Sequence, residues 1–207
     1  MIDLYTWTTP NGRKISIALE EMGLAYRVKT INIRADEQFA PSFLAISPNN
    51  KIPAIVDTET GASVFESGAI LLYLAEKSGK FGGGDDVTAR AKILEWLMWQ
   101  VGGFGPMLGQ LAHFAMYRED KIVEAIERFS TEAGRLYTVL DTQLGKTEFV
   151  SGAYSIADMA IYPWSVGGLS AVEGMSGKSY DNIARWHEAM EARPAVVKGM
   201  NIPPAQD

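Results

Sequence analysis

The sequence predicts a small mixed α/β unit followed by an all-α unit. Three observations carry this. Strand-like and helix-like segments alternate over residues 1–81, and the run Gly82-Gly83-Gly84-Asp85-Asp86 then interrupts the chain with the composition of a flexible linker. Beyond that run, the apolar patterns have the period of a helix and none reads as a strand. The expected domains are therefore residues 1–81 and residues 87–207.

Residues 2–7 read as a strand and residues 15–22 as a helix closed by Gly23. Residues 26–31 form a second strand. Residues 37–46 form a short helix with Pro41 early in it. Two short strands, 52–56 and 62–65, flank the polar turn Asp57-Thr58-Glu59-Thr60-Gly61 and make an antiparallel hairpin. A helix over 67–77 completes the unit, in the order βαβ, helix, ββα. In the second unit, residues 89–117 are helical, with a bend at Gly102-Gly103-Phe104-Gly105-Pro106, where proline removes a helix hydrogen bond. That glycine cluster lacks the Lys-Ser/Thr and the preceding strand of a phosphate loop. Residues 122–144 carry an apolar stripe from Ile122 through Ile126, Phe129, Ala133, Leu136 and Leu140 to Leu144, an amphipathic helix that Gly145 ends. Ser155-Ile156-Ala157-Asp158 is a short-armed capping box, a folding signal with no catalytic role. A last helix over 181–192 stops before Pro194.

Composition narrows the function. The 207 residues carry a net charge of −6, which argues against a nucleic-acid partner, and no apolar run approaches the roughly 18 residues of a membrane span. No basic segment followed by an apolar stretch opens the chain, so a cytoplasmic protein is expected. There is no cysteine, which excludes disulfides, thiolate metal sites and a protein-borne thiol nucleophile. With only two histidines, His113 and His187, no metal is expected either. Any thiol chemistry must use a sulfur that a ligand brings.

Two features between Asn50 and Leu74 point to a small peptide-like ligand. Pro53 interrupts the strand-like Ile52-Pro53-Ala54-Ile55-Val56 and cannot donate to a ladder, so it starts a strand or lies on an edge, and its X-Pro bond is one of the few that can be cis. The backbone of Ile52 is then left to pair with an extended peptide; a plain strand-start proline is the simpler alternative. Glu66-Ser67 stands where strand gives way to helix. Ser67 fits an N-cap, and a helix start with free N–H groups suits a carboxylate, while Glu66 offers the opposite charge. A zwitterionic amino-acid head group matches that pair; a capped helix with an exposed Glu is the alternative. The loop Thr8-Thr9-Pro10-Asn11-Gly12 aims a second helix start at its surroundings. A thiol pKa of about 8.5 falls at such a place, and Thr9 and Asn11 can donate to a thiolate, although both are also ordinary turn residues.

Taken in order, these phrases resemble the cytosolic glutathione transferases over essentially the whole chain. The resemblance rests on Thr-Pro-Asn-Gly (9–12), Ile-Ser-Pro-Asn-Asn-Lys-Ile-Pro-Ala-Ile-Val-Asp (46–57), Phe-Glu-Ser-Gly-Ala-Ile-Leu-Leu-Tyr-Leu-Ala-Glu-Lys (65–77), Trp-Gln-Val-Gly-Gly (99–103), Gly-Pro-Met-Leu-Gly-Gln (105–110) and Tyr-Ser-Ile-Ala-Asp (154–158). It is strongest to the bacterial Nu class, which is similar to the fungal nitrogen-regulator transferases.

The resemblance implies a thioredoxin-like N-terminal domain and an all-α C-terminal domain, with the loop at Thr9 to Asn11 standing where a Cys-x-x-Cys usually lies. It implies glutathione, reduced or as its disulfide, as bound cosubstrate. The γ-glutamyl end would go to Glu66 and Ser67 and the cysteinyl backbone to Ile52, beside Pro53. Lys51 and Gln38 would meet the glycyl end, and the sulfur would lie near Asn11 and Thr9. Arg128 matches a basic position that in the class reaches toward a second glutathione, with Arg135 as a competing candidate. Tyr5 is a further possible donor to the sulfur, but as a strand residue it reads more simply as core. The implied activity is reduction of small disulfides, with conjugation of electrophiles, reduction of peroxides or glutathione-binding regulation as alternatives. A homodimer is also implied.

Overall fold

The structure, a computed structural model, describes residues 1–204. They fall into two compact units, Met1–Asp85 joined by the segment from Glu191 onward, and Asp86–Met190.

The first unit is built on a four-stranded sheet, β1 (Ile2–Thr6), β2 (Tyr26–Thr30), β3 (Ala54–Asp57) and β4 (Ser63–Phe65), in the order β2-β1-β3-β4. β1 runs parallel to β2, with Leu4 opposite Val28, and antiparallel to β3, with Leu4 opposite Ile55. β3 and β4 form the expected hairpin, Ala54 opposite Phe65. The helices α1 (Pro10–Met22) and α3 (Ser67–Ser78) pack together, and Ile2, Leu4, Ile15, Leu19, Ile55, Ile70, Leu71 and Leu74 are buried in this unit. Asp57 locks the hairpin turn to α3. Burial alone would raise its pKa, but Lys77 at 2.9 Å, the Tyr73 hydroxyl at 2.6 Å and the backbone N–H of Glu59 hold it well below the usual carboxylate range.

The boundaries differ from the sequence reading where backbone chemistry decides them. α1 begins at Pro10 rather than residue 15. Thr9 is its N-cap, accepting from the N–H of Gly12 at 3.2 Å, and Pro10 takes the first helical position, where its missing N–H costs nothing. β3 begins at Ala54, past the cis Ile52–Pro53 bond. The segment expected as one helix over 37–46 splits into a 3₁₀ turn, Glu37–Phe39, and α2, Pro41–Leu44, because Pro41 restarts the helix.

The second unit consists of α4 (Val87–Trp99), α5 (Gly105–Ala112), α6 (Val123–Leu144), α7 (Ile156–Ser176) and α8 (Asp181–Glu191), whose last residue begins the C-terminal segment. Between α4 and α5 the chain widens into a π-helical turn, Gln100–Phe104, ahead of Pro106, and a second π turn, His113–Tyr117, follows α5. Phe104, Leu136, Tyr137, Leu140, Ile161 and Trp186 are fully or nearly fully buried. Ser155 and Asp158 form the expected capping box at the start of α7.

The C-terminal segment, from Glu191 onward, groups with the first unit. Pro194 does not merely stop α8; it occupies the first turn of a further helix, α9 (Pro194–Met200), which packs on α1 in the first unit. A Cβ on Gly199 would lie 2.5 Å from Ile17 Cα, so only glycine permits this approach. Ser16 Oγ donates to the Gly199 carbonyl at 2.6 Å, and Arg193 and Lys198 pair with Glu21 and Glu20.

Candidate active site

A cavity of about 160 Å³ in the first unit is lined by Asn11, Ser47, Lys51, Ile52, Pro53, Phe65, Glu66 and Ser67. Three elements build it: the start of α1, the loop entering β3, and the step from β4 into α3. It has the size of an amino-acid residue. Pockets for larger organic ligands span about 300–1,000 Å³, so this is a head-group subsite.

At the start of α1, Asn11 stands at the second helical position and reaches the cavity. Gly12 sits behind it because a Cβ there would lie 2.3 Å from Thr6 Oγ1 and 2.5 Å from the Trp7 carbonyl. Thr-Pro-Asn-Gly thus divides its labour. Threonine caps, proline starts the helix, glycine lets it lie on the end of β1, and asparagine is presented. In the loop before β3, the buried Ser47 donates to the Lys51 carbonyl at 2.8 Å and fixes the approach to Ile52. Ile52 stands outside the ladder, which starts at Ala54.

At the start of α3 the N-cap is Glu66, not Ser67 as the sequence suggests. Glu66 has φ 69° and ψ 117°, its side chain makes no cap bond, and its carbonyl accepts from the N–H of Ile70. A non-glycine residue held at such a φ costs on the order of 1–3 kcal/mol and marks a site the surroundings impose. The shift of one position has consequences. The exposed Glu66 carboxylate is spared from capping, and Ser67 becomes the first helical residue, with its hydroxyl directed elsewhere. That hydroxyl accepts from Lys14 Nζ at 3.2 Å. Lys14, on α1, is buried, and burial pushes its pKa down to about 7 against the opposing field of Glu66. The cavity therefore offers helix N–H groups and a hydroxyl on one side and a carboxylate on the other.

Of the residues singled out from the sequence, Asn11, Lys51, Ile52, Pro53, Glu66 and Ser67 meet in this cavity. Thr9, whose hydroxyl caps α1, and Gln38, whose Nε2 contacts Asp36 Oδ1 at 3.3 Å, are not among its lining. The Gln38 Oε1 is buried with no donor among the described residues. Arg128 lies in the second unit, on α6, and lines a separate cavity of about 690 Å³ with Met107, Glu124, Glu127, Phe129, Thr131 and Glu132. Tyr5 pairs with Ala54 and packs near Phe43, as a sheet residue does. Sequence reasoning missed Ser47, Phe65 and Lys14. Only Lys14 left a trace, a lysine set against the apolar Ile15, Ile17, Ala18 and Leu19 of α1. Among the described residues, no cluster of three or more acidic or histidine side chains is placed to hold a metal ion, and no helix is long and apolar enough to cross a membrane.

Family models for the glutathione S-transferase N-terminal and C-terminal domains match residues 1–76 and 104–194. The chain is 48% identical over 201 residues to Disulfide-bond oxidoreductase YfcG of Escherichia coli (strain K12), covering 94% of this chain and 92% of that protein. The chain belongs to the glutathione S-transferase family. This transferase is also 42% identical to Disulfide-bond oxidoreductase YghU of the same organism, over 96% of its own length and 73% of the relative's. Its fold matches the crystal structure of a glutathione transferase from Pseudomonas putida, which has one glutathione disulfide bound per subunit. That match has a TM-score of 0.91 and 41% identity, and covers 98% of this transferase and 91% of the other chain. The expected thioredoxin-like α/β domain followed by an all-α helical domain is thus the fold observed.

Proposed function

We propose that this chain is a glutathione-dependent disulfide reductase acting on small disulfides. The observation that carries the reading is the cavity at the start of α3, which sets Ser67 and free helix N–H groups beside Glu66 in a chain that has no cysteine of its own. The γ-glutamyl carboxylate would bond Ser67 and the α3 N-terminus, and its ammonium Glu66. The cysteinyl backbone would pair with Ile52. Lys51 would meet the glycyl carboxylate, with Gln38 supporting that end. The sulfur would then lie by Asn11 at the start of α1. There the helix field and the Asn11 amide favour the thiolate, with the Thr9 hydroxyl as a second donor.

The reaction needs no protein thiol. A bound glutathione thiolate attacks one sulfur of a disulfide, breaking the S–S bond and releasing one thiolate. A second glutathione thiolate attacks the glutathionyl sulfur of the mixed disulfide, giving glutathione disulfide and releasing the second thiolate. Two glutathiones thus supply the two electrons that the substrate takes up. Arg128 is the proposed contact for the second glutathionyl group, and Arg128→Gln is expected to weaken binding of glutathione disulfide more than that of glutathione.

The relatives named as disulfide-bond oxidoreductases and the disulfide bound by the Pseudomonas putida protein support this reading. A cytoplasmic homodimer is the proposed setting. Leu94 and Met98, one turn apart on α4, are exposed apolar side chains of the kind an interface covers, and sedimentation at micromolar concentration tests the dimer. Reduction of hydroxyethyl disulfide by glutathione, followed as glutathione disulfide formed, tests the activity. Turnover well above the uncatalysed exchange is expected. Faster turnover of a chloronitrobenzene would favour conjugation, and binding without any turnover would favour a regulatory protein on this fold.

A further inference from the structure

Lys14 is a buried charged group beside this cavity to which the chemistry above gives no task. It is 1% exposed, and lysine is almost never fully buried unless paired. Its ammonium lies at the N-terminal end of α3, which already carries a partial positive charge. Two positive fields therefore converge on Ser67. Holding the Lys14 ammonium out of water is unfavourable, and burial lowers its pKa to about 7 against the field of Glu66. An anion in the cavity relieves it.

The hydrogen bond has a direction. An ammonium has three donors and no acceptor, so in the Lys14–Ser67 contact the serine oxygen must accept. The serine proton is then free to point away from Lys14, into the cavity that Ser67 lines. A neutral amine, by contrast, can accept from Ser67 and turn that proton back. Among the charged groups of the described residues, Glu66 sends a field to Lys14 that favours its protonated form. Arg193, the N-cap of α9, and Lys198 on α9 are paired with Glu21 and Glu20, near the far end of α1. On α3, Lys77 is paired with Asp57 and Glu59. On β1, Asp3 is paired with Arg27.

We propose that Lys14 is a positioning residue for the ligand's α-carboxylate: it fixes the Ser67 hydroxyl as a donor into the cavity and supplies the buried positive charge that makes the subsite select a carboxylate over an uncharged group. The inference rests on the glutathione reading above. It adds two properties that the reading does not contain, discrimination by charge at one ligand atom and a dependence of affinity on the protonation of Lys14.

The test compares S-methylglutathione, which has no thiol to titrate, with the same molecule carrying an α-carboxamide. Dissociation constants are measured by titration calorimetry for the wild type, Lys14→Met and Lys14→Arg. The wild type is expected to favour the carboxylate on the order of 10- to 100-fold, the range of a hydrogen bond to a charged group. Lys14→Met is expected to reduce that preference to a few-fold. For the wild type, affinity for S-methylglutathione is expected to fall on the order of 10-fold as pH rises from about 6 to 8.5, as Lys14 loses its proton. Lys14→Arg does not titrate there, so its profile is expected to be flatter, and ligand ionisation is common to both proteins. This arm needs no variant that loses the buried charge. If the wild type fails to bind S-methylglutathione at millimolar concentration, the glutathione reading falls and this inference with it. If the wild type binds but does not discriminate, if Lys14→Met still discriminates as the wild type does, or if the wild-type and Lys14→Arg profiles coincide, this inference alone is overturned.

Discussion

Asp158 accepts four hydrogen bonds in the second unit, and removing it gives a worked test of what holds the capping box together. Its side chain is fully buried and four donors face it: the Val150 N–H at 3.0 Å and Trp186 Nε1 at 3.1 Å on Oδ1, and the Ser155 N–H at 3.0 Å and Ser155 Oγ at 3.2 Å on Oδ2. Burial pushes its pKa up to about 6 against those donors, so at neutral pH it remains an ionised acceptor for all four. Asp158→Ala strands the two backbone donors and the Trp186 indole together. Each buried donor left unpaired costs about 1–3 kcal/mol, part of which relaxation recovers, so a loss of about 3–5 kcal/mol is expected. Asp158→Asn has a cheaper exit. With its oxygen at the Oδ1 position it still serves Val150 and Trp186, and Ser155 Oγ can rotate to accept from the new amide. That leaves the Ser155 N–H unpaired, at about 1–3 kcal/mol. Urea unfolding followed by tryptophan emission and by circular dichroism measures both variants. Asp158→Ala within about 1 kcal/mol of the wild type, or Asn costing as much as Ala, would refute the reasoning.

Other consequences are equally direct. Ser67→Ala is expected to weaken glutathione binding on the order of 10- to 100-fold by calorimetry, while Asn11→Ala spares binding and depresses turnover; unchanged turnover in Asn11→Ala would mean that the sulfur lies elsewhere. Gly199→Ala would force a Cβ to 2.5 Å from Ile17 Cα and is expected to destabilise the first unit, by about 1–3 kcal/mol in thermal or urea unfolding. Burial lowers the His187 pKa to about 4 from 6.5. The folded protein thus resists a proton that the unfolded chain accepts, so this contribution is complete above pH 6.5 and is lost as pH falls toward 4, up to about 3 kcal/mol. His187→Gln is expected to flatten that acid limb in urea midpoints measured across the window.

Much of the first unit was legible because local and global signals agree there. The alternation of strands and helices, the polar turn at Asp57 and the glycine at Gly23 each specify one conformation, and the site phrases sit at the joints between those elements. The second unit announced itself through periodicity and the Ser155–Asp158 box. What escaped the sequence depends on contacts distant along the chain. Pro194 reads as a stop, yet α9 forms because it has a surface on α1 to cover and Gly199 lets it approach. Ser67 looks like an N-cap by type, but the unusual φ of Glu66 moves the cap back by one residue, and only the fold shows that Lys14 fills the space behind the hydroxyl. Ser47 carries no signal in a loop of ordinary loop residues. Thr9 illustrates the reverse case, a residue rightly placed at a helix start whose hydroxyl is engaged in capping.

The most direct measurement is a crystal structure of the protein soaked with glutathione disulfide. One γ-glutamyl group is expected to lie between Ser67 and Glu66, with its carboxylate on the α3 N-terminus, the adjoining cysteinyl backbone on Ile52, and the sulfur within hydrogen-bond reach of Asn11. A γ-glutamyl group bound away from Ser67 and Glu66, or a sulfur remote from the start of α1, would contradict the assignment of this cavity and the chemistry built on it.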